Sequence, residues 1–482
     1  MVLIYFVCEI FYNRRCRNKI SFLKRKGVLL VKYVVVGSSH MGYEAVETIL
    51  EAQPDAEIHM YERGDKPSFM SCGAQSYLEG ISKAADELHY ANEESYKEQG
   101  INIHVNSDVV GLNPEEKTIT VEVDGEKTET DYDKLLLSPG GYAPLLNVPG
   151  KDLDHVYTFR GRDDAEVVRS RMSTAEKVVV IGGGYIGVEV AEAYVKNGQD
   201  VTLIDALDRI LPTYLDDEFY PSLTAEAEDK GLKIKTGEAV KEVKGADGAV
   251  TGVVTDKGEY EADTVVMSVG VLPDTGWLEG ALELDDKGFV VVNEYLETSA
   301  EDVYAGGDAT LIPFDATGEK ANIALATNAR KQGVTAAKNA MGEDVKMSGV
   351  NGTSGLEFFD LKFATTGLKD STADLHDGEV KSYYCKERVR PSFMRDGDVE
   401  VEMKILFDGD TERILGAQFL STEDITQAAN TLSLAITAKM TLSDLAMADF
   451  FFQPGFNRPW NFLNVLAMKA QDRTYGSTRM LF

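Results

Sequence analysis

Cysteine is scarce: the chain has four in 482 residues. That number supplies no disulfide framework and fits a reducing cytoplasm. After Cys72 the next cysteine is Cys385, which excludes a dithiol–disulfide pair within one loop. Long apolar runs are missing too. No stretch of 18 residues is free of charge and apolar throughout, which argues against a transmembrane helix. Positive charge is in deficit, with Lys and Arg totalling 49 against 80 Asp and Glu, a net charge of −31. Such a surface repels phosphate backbones and anionic lipid, so nucleic acid and membranes are poor partners. There is no Pro-rich linker, internal repeat or low-complexity segment. What is present is 43% hydrophobic and 27% charged residues, enough for large cores. The length predicts roughly three domains.

The first thirty residues break the pattern. They hold Arg14, Arg15, Arg17, Lys19, Lys24, Arg25 and Lys26 against one acid, Glu9, and contain Cys8 and Cys16. The apolar opening precedes the basic run, the reverse of a signal peptide. We expect 1–30 to be an extension created by a misassigned start. Lys26-Gly27-Val28 can be encoded by a ribosome-binding sequence, and Val31 is then the initiator. Intact mass of the native protein tests this.

Two segments share one grammar. Val31–Val36 is rich in β-branched residues and leads into Gly37-Ser38-Ser39-His40-Met41-Gly42, a helical pattern over Tyr43–Ala52, and a strand, Glu57–Tyr61, ending at Glu62. Lys177–Ile181 leads into Gly182-Gly183-Gly184-Tyr185-Ile186-Gly187, a helix over Val188–Asn197, and a strand, Asp200–Ile204, ending at Asp205. This is the dinucleotide-binding fingerprint, found twice, with the acid about 20 residues past the last glycine. The first glycine permits the tight turn, the second admits a pyrophosphate, and the third lets helix and strand touch. The helix N-terminus then offers unpaired N–H groups to phosphate. Ser39 replaces the middle glycine of the first unit, which weakens it. A plain glycine turn is the competing explanation for each. Asp205 repels a 2′-phosphate and no Arg follows it directly, which favours NADH over NADPH.

From about Gly349 the strands Val399–Phe407 and Ile414–Leu420 precede a helix, Ala428–Ala438, and predict a separate α+β domain. Cys72 just past the first unit is either a buried small hydrophobe or a redox centre cycling between thiolate and sulfenic acid. His40 is either a hydrogen-bonded turn residue or a proton donor beside that cysteine. Glu44, one helical turn on, would set its state.

The segments GSSHMGYEAVE (37–47), YERGD (61–65), SFMSCGAQSYLEG (68–80), LLLSPGG (135–141), RGR (160–162), GGGYIGVEVAEAY (182–194), VTLIDALDRIL (201–211), TSAEDVYAGGDATLI (298–312), NIALATNARKQG (322–333) and FFFQPGFNRPWNF (450–462) resemble the NADH peroxidase branch of the pyridine nucleotide–disulfide oxidoreductases. The likeness runs from about Val31 to Trp460. It implies an α/β fold with two Rossmann-like domains, the FAD domain (31–144 and 276–348) being split by an NAD domain (145–275), and a C-terminal dimerisation domain (349–482). It implies FAD on Gly37, Ser38, Ser39, His40, Met41 and Gly42, with Glu62 on the adenosine ribose and Asp308 on the ribitol. Ser138, Pro139, Gly140, Gly141, Arg160 and Ala326 support the flavin, with Cys72 beside it. NADH falls to Gly182, Gly184, Tyr185, Ile186, Gly187, Glu189, Asp205, Tyr214 and Gly270, Tyr185 covering the flavin until nicotinamide displaces it.

By the same resemblance Cys72 is the redox cysteine, His40 the active-site histidine, and Glu44 and Arg330 its neighbours. Peroxide is reduced to water through Cys72 sulfenic acid. The chain would assemble as a homodimer or homotetramer that lends Phe450–Pro454 to the partner's site. Met41 departs from a small residue, and Gly455 and Asn457 lie in a variable segment, which bears on substrate preference. Three alternatives share the framework: a water-forming NADH oxidase, a coenzyme A disulfide reductase, and a flavin-holding redox sensor.

Overall fold

The computed structural model describes residues 31–473, so the expected extension at 1–30 lies outside the described residues. Lys32–Val36 and Lys177–Ile181 are buried along almost their whole length. A run of β-branched residues without alternation suits a parallel strand covered on both faces. Each is the centre of a five-stranded parallel sheet. The first has the order Val303–Ala305, Lys134–Leu137, Lys32–Val36, Glu57–Tyr61, Asn102–His104. The second has the order Lys233–Lys235, Asp200–Ile204, Lys177–Ile181, Thr264–Met267, Val156–Thr158. Val303–Ala305 completes the first sheet after the second has been built, so the chain leaves the first sheet and returns to it.

A three-stranded antiparallel sheet follows the third strand of each unit, starting at Asp108–Asn113 in one and Val240–Ala246 in the other. The duplicated plan therefore extends beyond the motif. The helices begin at His40 and Tyr185, three residues earlier than the apolar pattern predicts. The last residues of each glycine turn are themselves the first helical turn.

The third five-stranded sheet, called the third sheet below, is antiparallel, in the order Ser354–Phe358, Leu361–Gly367, Ile414–Ser421, Glu400–Asp408, Val380–Arg388. The helices Gln427–Thr437 and Phe462–Ala470 complete its core, in which Met403, Ile405, Phe419, Leu432, Ile436 and Leu466 are fully buried. Its fully buried Lys404 meets Asp370, just past the strand Leu361–Gly367, and reaches out of the sheet to Asp216 and Glu218 after the second glycine turn. The ammonium lies 2.5 Å from Asp370, 2.9 Å from Glu218 and 3.2 Å from Asp216. Asp216 also exchanges two 2.6 Å hydrogen bonds with Gln418, donating its N–H and accepting from the amide.

Two helices of the first unit approach closely at Gly333, where a Cβ would lie 2.4 Å from the Met41 carbonyl oxygen. That contact sets the helix Ala326–Ala340 against His40–Ala52 and brings Arg330 to Glu44. Among the described residues no helix is long and apolar enough to cross a membrane.

Candidate active site

One cleft of about 1220 Å³ runs past both glycine turns. The helices His40–Ala52, Tyr185–Lys196 and Ala326–Ala340 all begin in its wall. Three helix N-termini make that wall electropositive, suited to phosphate in an otherwise acidic protein.

The two turns are wired alike. Gly37 and Gly182 take positive φ of 91° and 105°, and a Cβ on either would lie 2.2 or 2.3 Å from a carbonyl oxygen, of Ser138 or Ser268. Gly42 and Gly187 press onto the carbonyls of Gly37 and Gly182, leaving 2.0 and 1.8 Å for a Cβ. Each terminal acid holds its own turn. Glu62 accepts from the Ser38 hydroxyl (2.5 Å) and backbone N–H (3.3 Å) and from Gly64 N–H (2.9 Å). Asp205 accepts from Gly183 N–H (2.5 Å) and Leu207 N–H (2.7 Å). Ser39 has φ −78° and Gly184 φ −77°. The middle position needs no left-handed backbone, so serine fits there without strain.

Met41 lines the cleft, but most of its bulk is turned away from it. It is buried, and its end packs against Gly306, beneath the turn that carries Asp308. Gln332 holds that turn by accepting the Gly307 N–H at 2.8 Å. Asp308 meets Arg160 at 2.5 Å, and Arg160 also donates to the Gly141 carbonyl at 2.8 Å.

Cys72 sits in a single helical turn, Ser71–Gly73, and opens to the cleft. The reading of a buried small hydrophobe therefore fails. Recessed in the cleft, the thiol is partly desolvated, and this together with the charge of Glu189 pushes its pKa up, while its own backbone N–H and Arg330 pull it down. His40 lines the same cleft and stacks on Tyr90, with ring centroids 5.3 Å apart. Both of its ring nitrogens are buried without a hydrogen-bond partner. Burial, then Arg330, pushes its pKa down, against an opposing pull from Asp308. The imidazole is thus neutral at pH 7. The hydrogen bond of Glu44 goes to Arg330, at 2.6 Å, rather than to His40. Arg330 in turn lies over the rings of Tyr43 and Tyr90 at 5.1 and 5.2 Å.

On the second side of the cleft Tyr185 stacks on Tyr214 at 3.6 Å, and its hydroxyl lies 2.8 Å from Ser354 Oγ of the third sheet. Burial, reinforced by Glu192 and Glu79, pushes Glu189 up to about 8.

Most expected residues line this cleft: the first turn through Met41, then Glu62, Cys72, Ser138, Pro139, Gly140, Gly141, Arg160, Asp308, Ala326, Gly182, Gly184, Tyr185, Ile186, Glu189, Asp205, Tyr214 and Gly270. Gly42, Gly187, Glu44 and Arg330 do not line it. The glycines stand behind the turns, and the ion pair stands behind His40. Phe450–Pro454 is also absent from its own chain's cleft, and Phe451 and Phe452 are exposed. Tyr90 was missed because it falls in a loop with no motif. Lys66, Asp108 and Trp277 also line the cleft and carry no sequence signal for it.

Comparison with known proteins agrees with this geometry. Residues 31–333 match the pyridine nucleotide-disulphide oxidoreductase model, and residues 353–461 match the dimerisation domain of that family. An NADH oxidase of Enterococcus faecalis is 41% identical over 445 residues, covering 92% of this chain and all of the relative. An NADH oxidase of Streptococcus pyogenes is 34% identical over 458 residues, with 92% and 100% covered. The solved water-forming NADH oxidase from Lactobacillus brevis, bound to NADH, superposes with a TM-score of 0.88 at 37% identity, covering 92% of this chain and 98% of that one. With both glycine turns, the lone cysteine between them and the third sheet in place, the chain belongs to the pyridine nucleotide-disulphide oxidoreductase family.

Proposed function

We propose that this protein is an FAD-dependent NADH oxidase that reduces O2 to water, using Cys72 to dispose of peroxide. The observation that carries the proposal is a single solvent-reachable cysteine in one cleft shared by two dinucleotide turns. The acceptor preference follows the relatives, which are NADH oxidases. The expectation of peroxide as the primary acceptor gives way to O2, with peroxide as the species Cys72 consumes.

The first turn fits FAD. Its glycines leave room only for backbone beside a pyrophosphate, and the unpartnered ring nitrogens of His40 in the wall await a polar group. The second turn fits NADH, since Asp205 disfavours a 2′-phosphate. FAD supplies the hydride-accepting and oxygen-reducing chemistry. The protein's part begins at sulfur. Cys72 thiolate attacks one peroxide oxygen, the S–O bond forms, the O–O bond breaks, and water leaves after protonation. Two electrons and a proton return the sulfenic acid to thiolate and a second water. Neutral His40 offers an N–H to the departing oxygen, and Arg330 favours the thiolate. A phosphorylated disulfide substrate is disfavoured, because Arg63 and Lys66, which line the cleft, are already tied to Asp108 and Asp274, and to Asp86.

We further propose that the chain forms a homodimer through its third sheet and helices, with the exposed phenyl groups Phe451, Phe452 and Phe456 at the contact, and works in the cytoplasm.

The test is stoichiometry. The parent is expected to consume two NADH per O2. Cys72→Ser is expected to consume one and to accumulate hydrogen peroxide. A parent that already releases peroxide overturns the water-forming reading. NADH consumption that requires added peroxide, without O2 uptake, restores peroxide as the substrate.

A further inference from the structure

Reduction of O2 by two NADH takes up two protons, and reduction of peroxide by one NADH takes up one. Either acceptor therefore draws one solvent proton per NADH into a cleft filled by cofactors. Glu189, Glu192 and Lys196 are spaced three and four residues apart on the helix Tyr185–Lys196 and share one face. Glu189 lines the cleft, Glu192 is fully buried, and Lys196 reaches solvent with its side chain 41% exposed. Lys196 Nζ lies 2.7 Å from Glu192 Oε1 and 3.1 Å from Glu79 Oε1. Glu192 Oε1 also accepts the Phe359 N–H at 2.9 Å. Glu192 Oε2, by contrast, is buried without a partner. A buried oxygen left so is costly, and buried carboxylates normally satisfy both oxygens. The vacant acceptor lies one helical turn from Glu189.

We propose that Lys196, Glu192 and Glu189 form the path by which solvent protons enter the cleft, with Glu192 Oε2 as the relay and Glu189 as the delivering group. This role rests on the acceptor-reducing function above and holds for O2 or peroxide. The groups facing Glu189 are Glu192 on its own helix, Glu79 capping the helix Ala74–Leu78, the Cys72 thiol, and the phenols of Tyr185 and Tyr214. With burial and two carboxylates holding it up at about 8, Glu189 carries a proton at neutral pH and can release it to a developing hydroxide. Burial raises Glu192 also, opposed by Lys196.

Glu192→Gln keeps the size of the side chain and removes the relay. NADH-driven reduction of bound flavin takes up no solvent proton and serves as the internal control. The expected result is a fall of about tenfold or more in steady-state turnover at pH 8, well beyond any fall in the rate of flavin reduction. Added imidazole should restore part of the loss, and the solvent deuterium isotope effect should rise. Lys196→Met, at the surface end, should show the same pattern more weakly and serves if Glu192→Gln does not fold. Equal losses in flavin reduction and turnover, or no loss in an active enzyme, overturn the path alone. A parent that oxidises NADH with neither acceptor overturns the proposed function and the path with it.

Discussion

Lys404→Met removes one cation and retains most of the apolar stem. It leaves three carboxylates facing one another where the third sheet meets the loop after Tyr214. Their exposures decide the magnitude. Glu218 and Asp370 are 35% and 54% exposed and can turn to water, whereas Asp216 is 1% exposed and cannot. Asp216 keeps its Gln418 bonds and the Asp370 N–H at 3.1 Å, so its charge is solvated in part. Breaking a buried pair costs about 3–5 kcal/mol, and the partial solvation places this one near 3 kcal/mol. For a chain of 482 residues unfolding as one unit the conversion is about 1 °C per kcal/mol, so Tm should fall by roughly 3 °C at pH 8. The sign of the pH dependence follows from the acids. Asp370 is already raised by burial, with Lys404 pulling it down and Asp216 pushing it up. Without the lysine it rises further above its unfolded value. An acid raised in the folded state destabilises at high pH, and the penalty vanishes as pH falls through the folded pKa. The deficit should therefore shrink at pH 5. Thermal unfolding followed by circular dichroism at both pH values checks this. Because Tyr214 stacks on Tyr185, the KM for NADH should also rise. An unchanged Tm at pH 8, or a loss as large at pH 5, would refute the account.

Gly187→Ala places a Cβ 1.8 Å from the Gly182 carbonyl oxygen and must push the helix from its strand. NADH affinity by calorimetry should fall about tenfold or more, while the flavin spectrum remains. Arg330→Met removes a cation that holds His40 down, so the imidazole should titrate at higher pH by NMR. A downward or absent shift would show that Arg330 does not act on His40.

Lys177–Ile181 was legible to the residue because a parallel strand buried on both faces is a nearly continuous apolar run, while Glu57–Tyr61 and Asp200–Ile204, which mix buried and partly exposed residues, were marked by the acid that ends each. The cradles were legible too, since a turn that must lie on a carbonyl admits only glycine. The antiparallel sheets after each third strand were not, because short exposed strands such as Glu126–Asp131 are wholly polar. The helix Phe462–Ala470 was missed because its apolar residues are buried nearly all round, leaving little periodicity to read. At the site, Cys72 and His40 stood out and the resemblance named Arg330, but the Tyr90 stack on His40 comes from a loop without a motif and depends on tertiary packing, which local pattern does not encode.

The wiring of the two terminal acids bears on protein engineering. Asp205 is a structural member of its loop, tying Gly183 to Leu207 before any nucleotide arrives. A designer who neutralises it to admit NADPH also unties the loop that presents the pyrophosphate. The more economical redesign keeps the carboxylate's two backbone ties and introduces the cation further along, at Ala206 or Leu207, both of which line the cleft. Glu62 is tied to its own turn in the same way, so neutralising either acid loosens the turn it closes.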